Sequence, residues 1–88
     1  MKNLTAYVEM ENRFAKIWGE PEINVTELDD TVAQRLFQKL DCQLSPENIS
    51  CDGELPRAEV NRRFKLYTGA IADLKKMGFV PAEQMYNG

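Results

Sequence analysis

Apolar residues recur along this chain mostly at steps of three and four, the spacing that gathers side chains on one face of an α-helix. Leu4, Tyr7, Val8, Phe14, Ala15 and Trp18 form a first stripe, interrupted at Glu11. It predicts a helix over residues 4–18 with Asn3 or Thr5 as N-terminal cap, although Ala6–Met10 also fits a short strand. Gly19, followed by Glu20-Pro21, predicts its stop. After a connector, Thr26 is the expected cap of a second helix, with Glu27, Asp29 and Asp30 at the positive end of its dipole. Leu28, Val32, Leu36, Phe37 and Leu40 carry it to about Asp41.

The third helix has the clearest pattern. Pro56 suits a first turn, where a missing N–H costs nothing. Val60, Phe64, Tyr67, Ile71 and Leu74 follow as a narrow seam spaced 4-3-4-3. Lys75 and Lys76 suit the negative end of the dipole, Gly78 supplies a left-handed stop, Phe79 is placed to fold back on Leu74, and Pro81 blocks continuation. The seam is expected to face the other two helices; the alternative is a homodimer contact, which two heptads support only with help from the rest of the domain. The pattern therefore predicts an all-α, compact three-helix domain over residues 1–79, with 80–88 as a loose tail.

Between the second and third helices lies a connection from Gln43 to Leu55, longer than the usual helix–helix link of about 2–8 residues. Ser45-Pro46-Glu47-Asn48 reads as one capped helical turn, and Cys51-Asp52-Gly53-Glu54 as a tight turn with a left-handed Gly53. Leu44, Ile49 and Leu55 are placed to pin the loop to the core, so an ordered loop is expected. Its exposed polar residues, Glu47, Asn48, Asp52 and Glu54, are candidates for contact with a basic partner; a well-capped turn with no partner explains them equally well.

A calcium loop counted from Asp41 would take Gln43, Ser45, Glu47, Ile49 and Asp52 as further ligand positions. It fails, because Pro46 stands where the motif needs Gly and Asp52 where it needs Glu. Cys42 and Cys51 lack redox-motif spacing and read most simply as small buried hydrophobes. With no histidine, two cysteines do not complete a zinc site within one chain unless carboxylates join them.

The segment Leu44-Ser45-Pro46-Glu47-Asn48-Ile49-Ser50-Cys51-Asp52-Gly53-Glu54, followed by a basic helix, resembles a region of small uncharacterised proteins encoded by bacteriophages and related mobile elements. The likeness covers roughly the second half of the chain. It implies a phage or mobile-element context, and no catalytic residues.

Composition changes this picture little. Eighty-eight residues make one domain, and 43% hydrophobic with 28% charged residues is ordinary for a globular chain. Met1-Lys2-Asn3-Leu4 opens without a secretory-type apolar stretch, and no run approaches the roughly 18 apolar residues of a membrane span. A cytoplasmic protein, not bound to membrane, is the expectation.

Charge is distributed unevenly within the net −3. Residues 1–54 hold 5 Lys and Arg against 11 Asp and Glu, whereas residues 55–76 hold 6 against 2. Arg57, Arg62, Arg63 and Lys65 make the third helix a candidate for nucleic-acid binding. The acidic remainder and the long preceding loop oppose that role, and these cations are more often a solvated face, or partners for Glu27, Asp29 and Asp30 on a neighbouring helix. With no histidine, phosphate loop or nucleophile motif, no enzyme is expected and no cofactor is implied. What remains is a small protein–protein interaction module, an accessory protein that binds or inhibits a host protein in the setting the resemblance implies. Nucleic-acid regulation is the alternative. Trp18 and Tyr67 are candidate interface anchors, though a core position is the plainer expectation for each.

Overall fold

The computed structural model describes residues 2–45, 48–49 and 53–82. It contains three long helices, α1 (Lys2–Trp18), α2 (Asp30–Gln43) and α3 (Arg57–Lys76), with a 3-10 turn at Val25–Glu27. No strand occurs among the described residues, so Ala6–Met10 is helical. The all-α, three-helix architecture with a loop between the second and third helices is as the pattern predicts.

α3 is the hub. α1 packs mainly on α3, α2 also packs on α3, and the backbones of α1 and α2 approach each other much less. Leu4, Tyr7 and Val8 of α1, Ala33, Leu36, Phe37 and Leu40 of α2, and Tyr67, Ala70 and Leu74 of α3 form one buried cluster. Tyr7 and Tyr67 meet edge to face, centroids 5.8 Å apart at 81°. The Tyr7 hydroxyl is buried without a hydrogen-bond partner among the described residues. Burial, and then the nearby Glu11 carboxylate, push its pKa upward, so it stays neutral.

The seam expected on α3 is rotated. Phe64 is 54% exposed, while Tyr67, Ala70, Asp73 and Leu74 are buried. The cause is close approach of α1, which small residues allow: a Cβ added at Gly69 would collide with the Asn3 side chain. α3 thus turns its small residues toward α1 and leaves Phe64 outside. With Tyr67 and Leu74 buried against the chain's own helices, that seam is not a free dimer face.

Helix ends also depart from expectation. α1 begins at Lys2, ahead of both proposed caps. Instead, the Leu4 N–H donates to the Asp73 carboxylate at 3.1 Å, a cap delivered from another helix. Thr26 does not cap α2. It donates through its N–H and hydroxyl to Asn24 Oδ1, at 3.0 and 2.7 Å, and so belongs to the 3-10 turn. Leu28 is extended, and Asp29 caps α2 by accepting from the Val32 N–H at 2.8 Å.

The glycine stops hold. Gly19 has φ 71°, and the Glu20 N–H reaches back to the Ala15 carbonyl at 2.8 Å. Gly78 has φ 100°, with its own N–H on Lys75 and the Phe79 N–H on the Leu74 carbonyl, while Phe79 packs on the core.

In the long loop, the Asn48 and Ile49 N–H groups both donate to the Ser45 carbonyl, and Ile49 is buried with Leu44 packed beside it. Gly53 takes the left-handed conformation expected of it, φ 84°. Cys42 is exposed, contrary to expectation, because it lies two residues past Leu40 and so points away from the core. Cys51 lies outside the described residues. Beyond Phe79, Gln34 of α2 donates to the Val80 carbonyl at 2.7 Å and accepts from the Ala82 N–H at 2.8 Å, holding residues 80–82 against α2.

Candidate functional site

The end of α1 away from Asp73 carries three exposed large apolar residues within five positions. Phe14 is 54%, Ile17 74% and Trp18 75% exposed. The core position expected for Trp18 is therefore wrong, whereas Tyr67 is buried, 7% exposed. The error is not one of phase. Leu4, Val8, Glu11, Ala15 and Trp18 follow each other at steps of 4-3-4-3, so Trp18 continues the buried stripe. Helix α1 outruns its close-packed cover at this end, and the indole is left at the edge of a cleft.

Glu11 interrupts that stripe and Asn12 stands beside it, and each is satisfied by a different neighbour. Glu11 forms an ion pair with Lys39 of α2 at 3.1 Å. Asn12 clamps the connector: its Nδ2 donates to the Ile23 carbonyl at 2.8 Å and its Oδ1 accepts the Ile23 N–H at 2.7 Å. One side chain thus satisfies both backbone groups of a residue 11 positions away. The connector is held at its start by the helix stop at Gly19, in its middle by Asn12 and at its end by the Asn24 cap.

Between this fixed connector, the last turns of α1 and the first turns of α2 lies a cleft of about 600 Å³. Phe14, Trp18, Leu28 and Val32 contribute apolar wall, and Glu20, Glu22 and Glu27 stand on the connector side. All three glutamates are exposed and none has an ion-pair partner among the described residues. Arg35 and Lys39 stand on α2, Lys39 already engaged by Glu11.

Of the loop residues proposed for partner contact, Asn48 and Glu54 do not line this cleft. Glu47 and Asp52 lie outside the described residues. Asn48 directs its Nδ2 to the Cys42 carbonyl at 2.7 Å and so serves the loop's own structure. Glu54 is exposed.

The basic cluster of α3 is also rearranged. Arg62 and Arg63 both bind Glu59 of the same helix, at 2.6 and 2.9 Å, not the acids of α2. A carboxylate three and four residues back is within reach without any tertiary movement. The hydrogen bonds from Arg62 and then Arg63 hold the Glu59 pKa down at about 2. Arg57 and Lys65 are exposed, but at 100° per residue the four cations are spread around the helix and do not form one stripe.

The residues missed in the sequence are Phe14 and Ile17 as surface groups, and the acidic connector as one wall of a cleft. Periodicity gave no warning: Phe14, Ile17 and Trp18 stand at i, i+3 and i+4, a face about 100° wide such as a single buried stripe uses.

Among the described residues no helix is long and apolar enough to cross a membrane, and no cluster of three or more metal-ligating side chains occurs. The chain matches no family model, no curated protein and no solved structure.

Proposed function

We propose that this protein is a non-catalytic protein–protein interaction module that binds its partner through the Trp18 end of α1. The observation that carries the proposal is the 75% exposure of Trp18, beside exposed Ile17 and Phe14, at the rim of a preformed cleft. Large aromatics at the centre of an exposed apolar group are the usual energetic anchors of protein interfaces. The resemblance of the Leu44–Glu54 segment extends the proposal to a phage or mobile-element accessory protein whose partner is a host protein in the cytoplasm. Nucleic-acid binding by Arg57, Arg62, Arg63 and Lys65 has less support, since Glu59 engages two of the four cations.

The test is affinity capture from a bacterial lysate with the tagged chain and its Trp18→Ala variant, each with and without nuclease. A stoichiometric protein that survives nuclease and is lost with Trp18→Ala is expected. Capture that vanishes with nuclease, ignores Trp18→Ala and depends on Arg57 and Lys65 would establish the nucleic-acid role instead.

A further inference from the structure

We infer that the cleft beside Trp18 receives a cationic amphipathic segment of a partner protein, with apolar side chains seated against Phe14 and Trp18 and Lys or Arg groups facing Glu20, Glu22 and Glu27. The inference rests on the interaction surface proposed above and specifies its partner.

Charge is the first ground. The cleft is lined by four carboxylates, Glu11, Glu20, Glu22 and Glu27, and two cations, Arg35 and Lys39. Glu11 and Lys39 neutralise each other at 3.1 Å, which leaves three carboxylates against Arg35. A cationic group entering here meets unspent negative charge and an exposed indole, the two partners that suit Lys and Arg best. An acidic segment, or an anionic lipid surface, meets repulsion.

Rigidity is the second. The carboxylates ride on a connector fixed by the paired Asn12–Ile23 hydrogen bonds and by the Asn24 cap, so little ordering remains to be done on binding. Size is the third. At about 600 Å³ the cleft lies in the range of about 300–1,000 Å³ typical of ligand sites. That is room for a few anchoring side chains, with the segment that bears them lying across the mouth.

A second copy of this chain fits less well. A two-fold contact centred on Trp18 is isologous and brings Glu20, Glu22 and Glu27 of one protomer toward the same residues of the other.

The experiment uses the full chain, with Trp18 as the reporter, and two Trp-free model helices of equal length and apolar pattern, one Leu/Lys and one Leu/Glu. The Leu/Lys helix is expected to bind about tenfold or more tighter and to shift Trp18 emission to the blue. Glu20→Lys/Glu22→Lys is expected to abolish that preference, whereas Asp41→Lys/Glu54→Lys, an equal change in net charge outside the cleft, preserves it. Circular dichroism checks that both variants fold.

Loss of preference in both double variants would mean attraction by bulk charge and would overturn the inference. Equal, Trp18-dependent binding of both helices would overturn the charge assignment while leaving the apolar interaction surface standing. Binding of neither helix overturns it too, as does a concentration-dependent dimer in sedimentation that Trp18→Ala abolishes; in those cases capture from lysate decides separately whether the interaction surface survives.

Discussion

The N–H of Leu4, in the first turn of α1, donates to the carboxylate of Asp73, in the last turn of α3, at 3.1 Å. Asp73 is the one buried charged residue among those described, 8% exposed. Its negative charge sits where the α1 dipole is positive, and it accepts from one of the backbone donors that the start of a helix leaves open. Asp73→Ala strands that donor in a buried site, and a loss of about 1–3 kcal/mol is expected in the denaturant midpoint. Asp73→Asn, which keeps an acceptor, is expected to lose less. Equal loss in the two would assign the effect to charge alone.

Asn12 is the second lever. Asn12→Ala removes both hydrogen bonds to Ile23. The expected cost is about 1–2 kcal/mol, with hydrogen exchange at the Ile23 amide faster by about tenfold. If that amide keeps its protection, the connector is held by something other than Asn12.

Glu59 supplies a pH-dependent term of definite sign. Its pKa is lowered from 4.5 to about 2 by Arg62 and Arg63, so the charged form is favoured by folding. Its stabilisation is fully present above about pH 4.5 and is lost as pH falls through about 2. An NMR titration of the Glu59 carboxyl is expected to give a midpoint well below the usual value, moving upward in Arg62→Ala and further when Arg63→Ala is added. A normal midpoint in the parent chain would show that solvent and salt screen the pair fully.

Trp18, the single tryptophan, reads its own environment. Emission at the red, water-exposed end and ready acrylamide quenching are expected. Trp18→Ala is expected to change stability by no more than about 0.5 kcal/mol, as for a surface site. Tyr67→Ala, by contrast, is expected to cost about 3–5 kcal/mol, as for a buried aromatic. A blue-shifted, protected Trp18 in the free chain would remove it from the binding surface.

The helices were legible because their signals are local. Periodicity and the glycines at 19 and 78 act within a few residues of where they stand, whereas the cap of α2 was placed on Thr26 and is Asp29. What escaped was decided between elements. The tilt of the α3 seam depends on how near α1 comes at Gly69, and hydropathy gives a glycine no weight in that. Trp18 has the right phase for burial, yet phase carries no information on where the opposing surface ends. The Glu59 pairing shows a different limit. Several acids were plausible partners for Arg62 and Arg63, and the one within a single turn prevailed because it needed no tertiary arrangement. The cleft joins α1, the connector and α2, and the Asn12 clamp that ties the middle of the connector to α1 is a contact between residues 11 apart.

The bond between Leu4 and Asp73 spans 69 positions of the chain, and both α1 and α2 find their main helical neighbour in α3. On a ribosome adding roughly 5–20 residues per second, α1 therefore waits roughly 3–14 s before α3 has been made. Until then α1 and α2 lack the surface on which each mainly packs, and Leu4, Tyr7 and Val8 stay open to chaperones and to one another. Birth of this domain waits on α3, and a message cut short before that helix is expected to leave the apolar faces of α1 and α2 without their main cover.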